Sequence, residues 1–273
     1  MNPTNPSIVA LITDFGLQDE YVGVMKGVIL SVNPQARIVD VCHAIEPYGI
    51  VQAGQMLASV TPYFPPETVF VVVVDPGVGG ERDILAVRRE GVVLLAPDNG
   101  LLSVWRDDWR STDIVRVQQT RYFLSRVSRT FHGRDIFAPV AGHLTLGLPL
   151  EELGPPVDPR RIQRVSVPMV RIGGQGDVRG TVIAVDRFGN LITDIRSEVL
   201  SELERRQSKG EWRIEVREKS IHGLRSFYGE VDRGKPLALI GSRNTLEIAI
   251  NGGSAAADFG AEAGTAVLVR TSR

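Results

Sequence analysis

Apolar residues are distributed differently in the two halves of the chain. In the first half they form short unbroken runs, and Val71-Val72-Val73-Val74 is the clearest. A run of that kind with no polar alternation reads as a strand buried on both faces, as in a parallel sheet covered by helices. Residues 7–13, 37–41 and 68–74 read as strands. Residues 19–33 and 49–60 read as helices, the first with Met25, Val28, Ile29 and Val32 on one stripe and Pro34 behind its end. Asp19 and Glu20 stand where a helix start favours negative charge. Residues 84–87 and 92–96 suit a further strand pair, followed by the turn Pro97-Asp98-Asn99-Gly100. Residues 135–146 suit a closing helix, with Pro139 near its start.

The pattern changes after Gly154-Pro155-Pro156-Val157-Asp158-Pro159, which reads as a linker. Apolar alternation then predicts short strands over 181–185, 191–195, 212–216, 237–240, 245–250 and 266–269, with one helix over 197–207. Short strands between Gly-rich turns suggest a small barrel or sandwich. The expected division is 1–153, a linker and domain entry over 154–176, and 177–273. The β-α-β-α-β order argues an α/β N-terminal domain with a mainly parallel sheet, plus a smaller C-terminal β-barrel domain.

Composition narrows the function. The 273 residues carry a formal charge of −1, so no basic surplus exists to neutralise a phosphate backbone, and nucleic acid is not an expected partner. One cysteine, Cys42, rules out an intrachain disulfide framework and fits a reducing compartment. The first residues lack the charged and apolar regions of a signal peptide, and no apolar run reaches membrane-spanning length, so a cytoplasmic protein away from the membrane is expected.

The polar residues of interest end the apolar runs. Asp14, in Thr13-Asp14-Phe15-Gly16, stands at a strand's carboxyl edge, where open α/β sheets bind ligands. Two carboxylate oxygens can accept both hydroxyls of a ribose; an Asp there can equally cap the following turn. Asp75 follows the valine run, Arg82 lies seven residues on, and His132 sits in Thr130-Phe131-His132-Gly133-Arg134-Asp135. An Asp that accepts from a water, an Arg that favours the charged form of that Asp, and a His that completes the hydrogen bonds could aim a nucleophile. The alternative is a turn, a surface charge and a structural histidine.

The four histidines, His43, His132, His143 and His222, show no H-x-x-x-H or H-E-x-x-H spacing, so no catalytic zinc is expected. Neither a P-loop nor a G-x-S-x-G elbow is present. In the second half, Asp186-Arg187-Phe188-Gly189-Asn190 joins two strands. Phe188 could stack on a flat ring, Asn190 could read an adenine edge and Asp186 could pair with an ammonium; a plain hairpin turn is the alternative. Ser242-Arg243 and the backbone around Gly252 suit a carboxylate, with a surface salt bridge as the alternative.

Seven stretches in register resemble the S-adenosylmethionine (SAM) hydrolases, or SAM hydroxide adenosyltransferases, which are related to the fluorinating and chlorinating SAM enzymes. They are Thr13-Asp14-Phe15-Gly16, residues 21–27, residues 73–79, residues 96–102, residues 131–141, residues 186–191 and Leu246-Glu247-Ile248-Ala249. The resemblance implies hydrolysis of SAM to adenosine and L-methionine without a cofactor, in a homotrimer whose sites lie between subunits. It implies a water-activating triad of Asp75, Arg82 and His132, a ribose-binding Asp14 and an adenine site of Phe188 and Asn190 with Tyr48 nearby. Asp186, Ser242, Arg243 and Gly252 would hold the methionine end. Asp75-Pro76-Gly77-Val78 stands where the fluorinating branch carries a Tyr-Pro-Ala-Thr type turn, and an acid there favours water over halide. Two departures stand out: Ser242-Arg243-Asn244-Thr245 looks more like the halogenase form, and Thr193-Asp194-Ile195 replaces Thr-Asn-Ile. A halogenase and a non-catalytic SAM- or adenosine-binding protein are the rival functions.

Overall fold

The computed structural model describes residues 7–105, 109, 112–167, 170–173, 177–206 and 210–272. Internal contacts divide the chain into two compact units, 1–167 and 168–273.

The first unit is a three-layer structure. Its strands are β1 (Ile8–Thr13), β2 (Arg37–Cys42), β3 (Val69–Val73), β4 (Ile84–Arg89), β5 (Val92–Pro97) and β6 (Asp113–Arg116). They form one mixed sheet in the order β2-β1-β3-β5-β4-β6. The pairs β1/β2, β1/β3 and β3/β5 are parallel, whereas β4 runs antiparallel to both β5 and β6. Alternate residues of each buried strand supply opposite layers. Val9, Leu11, Val69, Val71 and Val73 face a core completed by Met25, Ile29 and Phe137. Ala10, Ile12, Phe70, Val72 and Val74 face a second core with Ala53, Leu57 and Trp105. This two-sided burial is the physical content of the unbroken apolar runs.

The covering helices are α1 (Tyr21–Val32), α2 (Ile50–Val60), α3 (Leu101–Trp105) and α4 (Ala138–Thr145). The first begins at Tyr21, two residues later than its charge pattern suggests, and Asp19 and Glu20 lie in the bends before it. The predicted helix over 135–146 is composite. A wide π-turn over Gly133–Phe137 leads into α4, which puts Pro139 in the first helical turn, where its missing N–H leaves no bond unmade. The Pro-rich stretch after residue 153 is held against the sheet edge: Arg116 N donates to Pro155 O and Val157 N donates to Ile114 O.

The second unit carries β7 (Arg171–Ile172), β8 (Val178–Val185), β9 (Leu191–Arg196), β10 (Glu211–Val216), β11 (Lys219–His222), β12 (Pro236–Ile240), β13 (Thr245–Ile250) and β14 (Ala266–Ser272). Seven of them form an antiparallel path, β11-β10-β14-β8-β9-β13-β12, with β7 paired to β8. A bridge between Arg225 and Leu239 brings the two ends of the path together, so the sheet is barrel-like and nearly closed. Its interior holds Val182, Ile195, Ile214, Ile248 and Val269. Helices α5 (Ser197–Arg206) and α6 (Ala255–Phe259) complete it; residue 207, the expected end of α5, lies outside the described residues. Unforeseen elements are short: β6, β7, β11, α3 and α6 have at most five residues each.

Candidate active site

The chain leaves β1 toward β2 on one side and leaves β3 toward β4 on the other, which makes the β1/β3 edge the topological switch of the parallel part. Thr13 pairs with Val73 there, so Asp14 and Asp75 leave neighbouring strand ends side by side. Asn99 Nδ2 donates to Val74 O at 2.8 Å and holds the chain in front of Asp75.

Asp75, Arg82 and His132 come together as one cluster. Arg82 Nε lies 3.0 and 2.9 Å from the two carboxylate oxygens of Asp75, and its Nη2 also donates to Asp75 Oδ2. The same Nη2 donates to His132 Nδ1 at 2.8 Å. The side chains of Arg82 and Asp75 are only 11% and 3% exposed, so this ion pair is shielded from water. Burial, helped by the adjacent Arg82 charge, pulls the His132 pKa below its usual value and outweighs Asp75 and Asp135. With Nδ1 accepting from a guanidinium that has only donors, neutral His132 carries its proton on Nε2. Gly79 joins the two loops involved. Its φ is +75°, and a Cβ there would sit 2.0 Å from Arg129 O, so the turn after Asp75 can approach the His132 loop only as glycine.

A cleft of about 300 Å³ opens in front of the cluster, lined by Asp14, Tyr48, Asp75 and His132 together with Phe15 and Phe131. Tyr48 N donates to Asp14 Oδ2 at 3.0 Å, and the Tyr48 ring is 71% exposed. Phe15, Tyr21 and Phe131 form an aromatic wall with ring centroids 5.0–5.8 Å apart. Sequence reasoning did not single out these three as site residues; aromatics next to Asp14 and His132 were the available signal.

The second unit has its own cleft, of about 500 Å³, lined by Phe188, Asn190, Tyr228, Ile250, Gly252 and Gly253. Asp186 braces its rim. Asp186 Oδ1 accepts from the backbone N of Phe188 and Asn190 at 2.8 and 2.9 Å, and Oδ2 accepts from Asn190 Nδ2 at 2.9 Å. One of the two Asn190 amide hydrogens is thereby committed to Asp186. Gly189 has φ +83°, and a Cβ there would meet Ser254 Oγ at 2.1 Å. Phe188 is left 77% exposed. Tyr228, which the sequence did not flag, donates to Glu247 Oε1 at 2.6 Å. That bond, with burial and the charges of Glu247 and Asp186, pushes the phenol up to about 12. Ser242 and Arg243 are exposed on the β12–β13 turn and do not line this cleft. Among the described residues no group of three or more His, Cys, Asp or Glu could hold a metal ion, and no helix is long and apolar enough to cross a membrane.

An acid–guanidinium–imidazole cluster at an α/β switch point, joined in one chain to a barrel-like sheet with an aromatic cleft, defines a class of small-molecule enzyme. The chain belongs to the SAM hydroxide adenosyltransferase family: residues 9–154 match its N-terminal domain and 180–268 its C-terminal domain. An (R)-S-adenosyl-L-methionine hydrolase of Salinispora tropica is 36% identical, with 96% of this chain and 97% of the relative covered. One of Thermus thermophilus is 37% identical over 95% and 98%. A fluorinase of Actinopolyspora mzabensis is more distant, 28% identical over 97% of each. A crystal structure of an uncharacterized conserved protein from Thermotoga maritima superposes with a TM-score of 0.88 at 35% identity, covering 96% of this chain and 99% of the other.

Proposed function

We propose that this protein hydrolyses S-adenosyl-L-methionine to adenosine and L-methionine, with Asp75, Arg82 and His132 directing the water. The observation that carries the reading is the three-residue cluster facing a cleft that also holds Asp14. The sulfonium is already a good leaving group. The remaining barrier is to hold one water in line with C5′, opposite sulfur, and such ordering can supply roughly 7–11 kcal/mol. The water donates to Asp75 and accepts from His132 Nε2–H, which leaves a lone pair for carbon. The O–C5′ bond forms as C5′–S breaks, the electron pair goes to sulfur as the thioether of methionine, and the proton passes to Asp75 and then to solvent. Arg82 fixes both partners from behind, and burial together with its charge keeps His132 a neutral donor.

Asp14 takes the ribose diol, with Tyr48 beside it. Phe188 and Asn190 take the adenine, the Asn190 carbonyl oxygen accepting from the exocyclic amine. Asp186, Ser242, Arg243 and the Gly252 backbone hold the methionine end. The active form is a homotrimer with sites between subunits, in a reducing cytoplasm, and no cofactor takes part. Two exposed aromatics on the rims of separate clefts, Tyr48 and Phe188, support a site completed by assembly.

Water is favoured over halide because Asp75 lines the cleft while Arg82 does not, so an entering anion meets acceptor oxygens first. The hydrolase relatives carry an (R) prefix in their names, and the substrate here is the same sulfonium epimer. The two epimers exchange the methyl and aminocarboxypropyl arms, so only one can align S–C5′ with the water while both arms are seated. Purified protein is incubated with each epimer, with and without fluoride or chloride, and the nucleosides are separated. Adenosine and methionine in equal amounts, faster from the (R) epimer, are expected. A 5′-halogenated nucleoside, or no turnover of either epimer, would overturn the proposal.

A further inference from the structure

His43 is a buried titratable group with no role in the chemistry above. It follows β2, directly across from the end of β1, and is 5% exposed. Its Nε2 lies 3.0 Å from Asp40 Oδ1 and its Nδ1 2.8 Å from Thr13 Oγ1. Lys26 Nζ donates to the other oxygen of Asp40 at 2.5 Å. Burial alone would raise the Asp40 pKa; hydrogen bonds from Lys26 and His43 outweigh it and hold the carboxyl below its usual range. An ionised Asp40 takes the Nε2 proton, which leaves Nδ1 to accept from the Thr13 hydroxyl. Thr13 Oγ1, its proton committed to the ring, accepts from Phe15 N at 3.3 Å.

Acid, imidazole and hydroxyl in sequence look like an activated nucleophile. The location excludes that role: Thr13 is fully buried, and its oxygen already receives the Phe15 N–H. The turn instead closes around Asp14, the residue between Thr13 and Phe15. The main chain repeats the same tie, since Gly16 N donates to His43 O at 2.7 Å and Ile45 N to Thr13 O at 3.4 Å. A few residues on, Tyr48 N donates to Asp14 Oδ2. One segment, 43–48, therefore grips the backbone on both sides of Asp14 and one of its carboxylate oxygens.

We infer that His43 is a positioning residue, which through Thr13 fixes the Asp14 carboxylate in the orientation that accepts a vicinal diol. The inference rests on the reading of Asp14 as the ribose acceptor. Four variants test it: Thr13→Val, Thr13→Ser, His43→Gln and His43→Asn. Asn can put its carbonyl oxygen where Nδ1 was and keep the Thr13 bond. Gln reaches Asp40 but leaves Thr13 without its acceptor. The readouts are calorimetric affinities for adenosine and 2′-deoxyadenosine, and KM and kcat for SAM.

The preference for adenosine should fall about tenfold in Thr13→Val and His43→Gln. KM should rise by a similar factor, with kcat within about twofold. Thr13→Ser and His43→Asn should stay near the parent protein. Equal behaviour of His43→Gln and His43→Asn, or an intact preference in Thr13→Val with only a lower melting temperature, would make the network purely structural and overturn the inference. A parent protein that binds both nucleosides equally would instead overturn the ribose assignment of Asp14, and the inference with it.

Discussion

The two clefts differ in how far their polar groups are already matched. In the first unit, Asp75 and Arg82 are paired and nearly sealed from solvent, and His132 is fixed in one tautomer by the same guanidinium. In the second, the cleft is largely apolar, its most prominent ring is 77% exposed, and the Ser242-Arg243 turn projects into solvent. Groups that perform chemistry gain from being fixed in advance, because reorganisation during the reaction adds to the barrier. Groups that capture a flat, flexible substrate can be completed by the substrate or by a neighbouring copy. The two regions should therefore respond to substitution in opposite kinetic parameters.

The largest expected effect is in the matched cluster. Asp75→Asn keeps the shape of the side chain and removes the acceptor charge. It should lower kcat for SAM by at least about 10²-fold, the lower end for loss of general-base assistance, with KM nearly unchanged. Arg82 would lose its buried partner, and breaking such a pair costs about 3–5 kcal/mol, so the melting temperature should fall as well. Turnover within threefold of the parent protein at saturating SAM would show that the cluster braces the fold and does not aim water.

Phe188→Ala probes the open cleft. Removing a ring that stacks on a base costs about 1–3 kcal/mol, so KM should rise about tenfold while kcat changes little. Because Phe188 is exposed within its own chain, its truncation opens no cavity in that chain's core. Coexpression with Asp75→Asn sharpens the contrast. If each site draws on two subunits, mixed oligomers contain some sites with both an intact Asp75 and an intact Phe188. Activity at low SAM should then exceed the average of the two parent variants. No such gain would place all the groups of one site on one chain.

The same division explains what could be read from the sequence. The three-layer core was legible because Val9 to Ile12 and Val69 to Val74 have apolar residues at every position, as a strand covered on both faces requires. Asp14, Asp75 and His132 were legible because they immediately follow apolar runs or sit in a compact polar turn. The aromatic wall of Phe15, Tyr21 and Phe131, and Tyr228 in the other cleft, were not. Single aromatics in loops or at an element's first residue add no periodicity, and Phe131 meets Phe15 and Tyr21 from more than a hundred residues away in sequence. The π-turn before α4 was equally hidden, since a widened turn changes hydrogen bonding without altering the pattern of apolar residues. His43 was visible only as a histidine without a metal spacing; its partners Thr13 and Asp40 become apparent once β1 and β2 are paired.

The smallest expected effect concerns Asp194, whose buried carboxyl is only half satisfied among the described residues. Asp194 Oδ1 accepts from Thr181 N at 2.7 Å, while Oδ2 is buried without a hydrogen-bond partner among the described residues. Burial raises its pKa, opposed by the Thr181 N–H. A carboxyl whose folded pKa lies above the unfolded one adds stability below its ordinary value of 3.8, and that contribution is lost as pH rises through the folded pKa. At neutral pH the charge is therefore a liability. Asp194→Asn keeps the acceptor for Thr181 and removes the charge, and should raise the melting temperature by about 2 °C at pH 7. The advantage should shrink as the pH is lowered toward 4, where the native carboxyl takes up its proton. Because Asp194 lines neither cleft, kcat and KM for SAM should stay unchanged. A gain over the parent protein no larger at pH 7 than at pH 4 would mean that the carboxylate has a stabilising partner in the assembled protein.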